Sequence, residues 1–295
     1  MTSILPSLGF AGIGLMGLPM CRRLLAAGYP LTVWNRNPDK CAQLQAAGAR
    51  LAESPAQLAE ACEVVVLCLA DTGVVREVVF GAHGIAQGGQ PGGLLIDCSS
   101  VEAGATRQMA AQLAADCGMR WVDAPVSGGV GGAEAGTLAI MAGGSVADVQ
   151  RAEPILLALG QRVTHMGAVG AGQVTKTCNQ MIVACNALVI AEVVALAERS
   201  GVDAGRIAQA LAGGFADSKP LQFLAPQMAA SQFEPVKWHV RTLLKDLDGA
   251  VKLAHQAGSA TPISALAAQL MRQHGSQGYL QKDPATLVHL YREKA

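Results

Sequence analysis

The sequence predicts an α/β Rossmann-type N-terminal domain followed by an all-α C-terminal domain. Three observations carry this prediction. Short apolar runs alternate with helical patterns through the first half, and glycines punctuate the joints, as in a parallel sheet with crossover helices. The pattern Gly12-x-Gly14-x-x-Gly17 lies between the first apolar run and the first helical pattern. From about Gly172 onward the periodicity is helical and strand signals become rare. The expected division is residues 1–166 for dinucleotide binding and residues 167–295 for the all-helical part, joined in "GAVGAGQ" (Gly167 to Gln173).

Taken in order, "SLGFAG" is the first strand. "PMCRRLLAAG" is a helix, with Pro19 near its first turn and Gly28 as its stop. "LTVW" is a second strand, and "CAQLQAAG" a helix stopped by Gly48. "EVVVLCL" (Glu63 to Leu69) and "GLLIDCS" (Gly93 to Ser99) are continuous apolar runs, the mark of strands buried on both faces. "RWVDAPV" and "TLAIMAGG" follow. A long helix is expected from about Gly172 to Arg199, with Gly201 just past its end. It is apolar nearly all round, so it is expected to be buried on most sides.

The chain has 295 residues, enough for two medium domains, and half of it is apolar. The formal net charge is zero, so no basic field exists to hold nucleic acid. Its eight cysteines include no Cys-x-x-Cys pair and read as buried hydrophobes in a reducing compartment. No His/Cys/Asp cluster has metal-ligand spacing, and no metal site is expected. The N-terminus lacks the features of a signal peptide. The most apolar run, Met181 to Ala197, carries Asn186 and Glu192 and is slightly short for a membrane span. The expectation is a cytoplasmic protein with no membrane partner.

The glycine pattern explains most of the expected chemistry. Gly12 permits a tight turn, Gly14 lets the backbone approach a pyrophosphate, and Gly17 allows close helix–strand packing. The following helix N-terminus attracts the anion, and Leu15 and Met16 complete the loop. The second strand ends at Trp34, and Asn35, Arg36 and Asn37 follow. An acid here would bind the ribose 2′-hydroxyl of NAD, and none is present. Arg36 suits the 2′-phosphate of NADP, so NADP(H) is favoured, with NAD(H) as the alternative. The competing reading of Arg36 is a solvated loop charge.

Three further stretches offer candidate groups. In "DAPVSGG" (Asp123 to Gly129), the Ser127 hydroxyl and the N–H groups of Gly128 and Gly129 suit a carboxylate; an ordinary glycine loop is the alternative. In "GAGQVTKTCNQ" (Gly170 to Gln180), Lys176 and Asn179 share a helix face. The lysine is placed to exchange a proton with a substrate oxygen that the asparagine orients, against the alternative of a surface charge. In "LLKDL", Lys245 and Asp246 lie within an apolar helix, and a polar edge facing water is the alternative.

Together these stretches resemble the β-hydroxyacid dehydrogenase family, which includes 3-hydroxyisobutyrate dehydrogenase, tartronate semialdehyde reductase and the glyoxylate/succinic semialdehyde reductases. The likeness runs from about Leu8 to about Tyr291. It implies that Lys176 is the catalytic acid/base and that Asn179 holds the substrate oxygen. It places Ser127 and Gly128 on the substrate carboxylate, Lys245 over the nicotinamide end of the cofactor and Ser100 on the cofactor. Leu69 and Ala70, expected to end the fourth strand, would line the cofactor cleft. Many relatives have asparagine where this chain has Gln180; the Asn-Gln order and "ALAGGFADS" (Ala210 to Ser218) resemble the tartronate semialdehyde reductase branch. Trp238 stands where those reductases tend to have phenylalanine, and with Phe215, Asp217 and Ser218 it is expected to shape the distal pocket. The resemblance also implies a homodimer or homotetramer. The expected reaction interconverts a small β-hydroxy acid and its aldehyde or keto acid. An imine-reducing relative and a non-catalytic cofactor binder are the rivals. Lys176 counts against the first, and the intact pair Lys176 and Asn179 against the second.

Overall fold

The computed structural model describes residues 5–292 and divides into two compact units, Met1–Lys176 and Thr177–Ala295. The first unit is built on one nine-stranded sheet. Its elements are β1 (Leu8–Ala11), α1 (Gly17–Ala26), β2 (Leu31–Trp34), α2 (Ala42–Ala46), β3 (Arg50–Leu51), α3 (Pro55–Glu60), β4 (Val64–Leu67), α4 (Thr72–Phe80), α5 (Ile85–Gly88), β5 (Leu94–Asp97), α6 (Ala103–Cys117), β6 (Arg120–Asp123), β7 (Val126–Ser127), α7 (Gly129–Ala135), β8 (Leu138–Gly143), α8 (Val146–Leu157) and β9 (Gly160–Gly167). Strands run in the order β3-β2-β1-β4-β5-β6-β8-β7, with β9 beside β8. The first six pair in parallel; β8 then meets β6 antiparallel through the single pair Asp123 and Gly143. β3, β9 and the helices α3 to α8 were not marked by the sequence; β3 is two exposed residues at the sheet edge.

The central strands bury alternate residues in two separate cores. Val64 and Val66 pack with Phe10, Ile96 and Val122, while Val65 and Leu67 pack with Leu95 and Trp121. Each such side chain contributes about 1.5–3 kcal/mol relative to exposure. This two-sided burial is why β4 and β5 read as unbroken apolar runs. β4 stops at Leu67, so Leu69 and Ala70 do not end it, contrary to expectation. Pairing with β1 and β5 ends there, and the Leu69 N–H turns instead to the Ser99 hydroxyl at 2.9 Å.

α9 (Ala171–Arg199) is 29 residues long, about 44 Å. The second unit continues with α10 (Ile207–Leu211), α11 (Lys219–Ala229), α12 (Val240–Gln256), α13 (Pro262–His274) and a final 3-10 segment, Pro284–Leu290. One face of α9, Ala184, Ala187, Leu188, Ala191 and Val194, packs with Leu224 and Met228 of α11, Leu243 and Leu247 of α12 and Met271 of α13.

The expectation that α9 is buried on most sides is corrected. Ile182, Val189 and Leu196 are 64%, 53% and 66% exposed. Seven-residue spacing keeps them on one stripe of the helix, opposite the packed face. Only 39% of its most apolar window is buried. By length and composition alone the helix is sufficient to cross a membrane.

Candidate active site

The glycine loop joins β1 to α1, and its three glycines have different causes. Gly12 has φ +105°, and a Cβ there would stand 2.3 Å from the Cys68 carbonyl oxygen. A Cβ at Gly17 would stand 1.9 Å from the Gly12 oxygen. At Gly14 nothing lies within 4 Å of a Cβ position, and Gly14 and Leu15 are exposed. The fold therefore demands the first and third glycines, while the open backbone at Gly14 fits the approach of a phosphate. α1 begins after Met16 with no side-chain cap and no acid in its first turn, which leaves its positive end for an anion.

Asn35 is built into this loop. Its Oδ1 accepts from Ile13 N at 3.0 Å and its Nδ2 donates to the Asn37 carbonyl at 2.8 Å. Asn37 accepts from Asp39 N and so shapes the turn. Arg36 is exposed beside them.

The ends of β4, β5 and β6 converge on a buried polar group. Asp97 and Asp123 are aligned partners on adjacent strands. Asp97 accepts from Ser99 N at 2.9 Å, its Oδ2 has no partner among the described residues, and burial pushes its carboxyl up to about 7. Burial likewise raises Asp123, opposed by the N–H groups of Gly170 and Gln173, which donate at 2.6 and 2.9 Å. Asp123 thus caps the start of α9 from another element. Gln173, itself buried, donates to the Ser99 carbonyl at 2.8 Å and accepts from Val101 N at 3.1 Å, so it grips the loop on both sides of exposed Ser100. Lys176 lies three residues after Gln173 on the same helix, partly buried. Ser127 ends β7, and Gly128, at φ +141°, and Gly129 open α7, all at least partly exposed.

In the second unit Asn179 starts a chain of polar contacts. Its Nδ2 donates to Gln180 Oε1 at 2.8 Å, and Gln180 Nε2 donates to Asp246 Oδ2 at 2.6 Å. Lys245 Nζ stands 3.3 Å from Asp246 Oδ1. The Asp246 side chain is only 14% exposed, against 62% for Lys245, so these two are not a shared water-facing edge. Trp238 is half-buried against the helical core, and its Nε1 is buried without a partner among the described residues. Asp217 accepts from Gly213 N and from Gln222, and Ser218 caps α11 through Leu221 N. Phe215 is fully exposed, and a shallow cavity of about 430 Å³ is lined by Asp217, Ser218, Lys219, Gln222 and Phe223.

The sequence did not single out Asp97, Ser99 or Gln173. The available signal was an acid at the end of each of two consecutive strand patterns, "LLID" and "RWVD".

Known proteins match nearly the whole length of the chain. Residues 7–167 match the family model described as the NAD binding domain of 6-phosphogluconate dehydrogenase. Residues 170–291 match the one described as NAD-binding of NADP-dependent 3-hydroxyisobutyrate dehydrogenase. The chain is 36% identical to 2-hydroxy-3-oxopropionate reductase of Escherichia coli over 281 residues, covering 95% of each chain. It is also 36% identical to 3-hydroxyisobutyrate dehydrogenase of Pseudomonas aeruginosa, over 97% of this chain and 99% of that one. A solved 3-hydroxyisobutyrate dehydrogenase of Mycobacterium tuberculosis, with L-serine, superposes with a TM-score of 0.87 at 29% identity, over 98% of this chain and all of that one. With its glycine loop, strand-end polar cluster and lysine-bearing helix, the chain belongs to the β-hydroxyacid dehydrogenase family of NAD(P)-dependent oxidoreductases.

Proposed function

We propose that the protein is an NADP-dependent reductase of the tartronate semialdehyde type, interconverting 2-hydroxy-3-oxopropionate and the corresponding β-hydroxy acid. The observation that carries this reading is the placement of Lys176 and Asn179 three residues apart on one helix, behind a start anchored by Asp123 and Gln173. A bound nicotinamide cofactor supplies or accepts the hydride. Lys176 delivers a proton to the oxygen on which negative charge develops, and takes it back in the reverse direction. Asn179 orients that oxygen, and Ser127 with the Gly128 and Gly129 backbone holds the carboxylate. Gly12, Gly14, Leu15, Met16 and Gly17 form the phosphate cradle, with Leu69, Ala70 and Ser100 along the cofactor and Lys245 over its nicotinamide end.

The NADP preference is supported by exposed Arg36 and by the absence of any acid between Asn35 and Asn37. The branch assignment is supported by the Asn179-Gln180 order. 3-Hydroxyisobutyrate and glyoxylate or succinic semialdehyde are the remaining substrates of the same carboxylate loop, with Trp238 shaping the choice. The domain division at 166/167, a cytoplasmic location and a homodimer or homotetramer belong to the same reading; the bare stripe on α9 supports the last.

A steady-state screen at neutral pH with NADPH and NADH against small aldehyde acids tests it. Turnover of tartronate semialdehyde with NADPH is expected, with Arg36→Ala raising the KM for NADPH and leaving that for NADH unchanged. Lys176→Ala should lose at least a hundredfold in kcat. Retained turnover in that variant rejects the assignment of the lysine, and activity with NADH alone rejects the role of Arg36.

A further inference from the structure

We propose that Gln180 and Asp246 are positioning residues that fix which way the Asn179 amide faces. This rests on the role given to Asn179 above. The argument is one of hydrogen-bond polarity. An ionised carboxylate only accepts, so Asp246 requires the Gln180 NH2 group to face it, as it does at 2.6 Å. Gln180 must then turn its carbonyl oxygen the other way, and that oxygen accepts from Asn179 Nδ2 at 2.8 Å. The direction of every bond follows from one charge at the far end, 66 residues away in sequence. Lys245 Nζ stands 3.3 Å from the other oxygen of Asp246, so the carboxylate is held at both oxygens.

The consequence falls on Asn179. With one N–H held by Gln180, its amide cannot rotate by half a turn to exchange nitrogen and oxygen. A free asparagine amide presents either a donor or an acceptor to a substrate oxygen, and only the donor favours the charge that grows there during reduction. Gln180 therefore has a task of its own. It is long enough to span from Asn179 to Asp246 of α12.

Gln180→Met keeps the length of the side chain and removes both hydrogen bonds. Its kcat, at saturating cofactor, is expected to fall about tenfold with KM for NADPH unchanged. In an Asn179→Ala background the same substitution should cost less than twofold, because the residue it orients is gone. Asp246→Leu breaks the far end of the chain and should repeat both results. An unchanged kcat in Gln180→Met, or a tenfold loss that persists in the Asn179→Ala background, overturns the proposal. Nuclear magnetic resonance of 15N-labelled protein decides it without turnover. The Asn179 side-chain amide, identified by its disappearance in Asn179→Ala, should show displaced, slowly exchanging protons that return to free-amide positions in Gln180→Met. Free-amide positions in the wild type overturn the relay. If Lys176→Ala instead keeps its turnover, the role given to the lysine fails while this resonance arm still decides the relay.

Discussion

At Gly12 a single added carbon meets a carbonyl oxygen, and at Gly14 it meets nothing within 4 Å. Two glycines of one motif therefore answer to different demands, and substitution separates them. Gly12→Ala combines a clash with a left-handed φ of +105° and should destabilise the first unit by on the order of 3 kcal/mol, read in chemical denaturation. Gly14→Ala should unfold at the wild-type denaturant midpoint but bind NADPH at least tenfold more weakly, measured by fluorescence titration. Equal stability losses in both would remove the reason given for the open backbone. The motif was legible in sequence because turn, helix start and strand end lie within a few residues of each other. The hydrogen bonds of Asp123 to Gly170 and of Gln180 to Asp246 span 47 and 66 residues, and no local pattern records such pairings.

Among the elements, α9 departs most from expectation. Its extent was legible to within a residue, from Gly201 past its end and the glycines before its start. Its environment was not, because a helix apolar on all sides gives the same periodicity whether its second face meets its own chain or another. Ile182, Val189 and Leu196 form a stripe that a second copy would cover. Val189→Glu should leave the unfolding of the separated subunit within about 0.5 kcal/mol of wild type, since the position is already exposed. It should shift the proposed dimer or tetramer to monomer mass in light scattering. An unchanged mass would place the subunit contact elsewhere. β4 shows the opposite limit: its burial on both faces was legible, and its end was not, because Ser99 from another loop takes the Leu69 N–H.

Across the whole molecule, buried Asp97 and buried His274 move stability with pH in opposite senses. In the first unit Asp97 has its carboxyl raised to about 7, chiefly by burial. Its contribution is fully present below the unfolded value near 4 and is lost as pH rises through about 7. In the second unit burial lowers His274 to about 4 and lowers His289 as well. The contribution of His274 is fully present above about 6.5 and is lost as pH falls through about 4. Calorimetry across pH 4–8 should therefore show Asp97→Asn gaining on the wild type as pH rises, and His274→Gln losing its deficit as pH falls. A wild-type curve parallel to that of Asp97→Asn would mean that Asp97 is ionised throughout. Composition gave no hint of this, since the formal charge is zero and both groups owe their behaviour to burial.

Cys178 is the one exposed thiol among the eight cysteines, and it sits four residues before Ile182 on the same stripe of α9. The chain thus carries a native labelling handle at the edge of its bare apolar face. A fluorophore attached there needs no engineered cysteine and reports, through its quenching and its rate of attachment, whether that face is open to solvent or occupied.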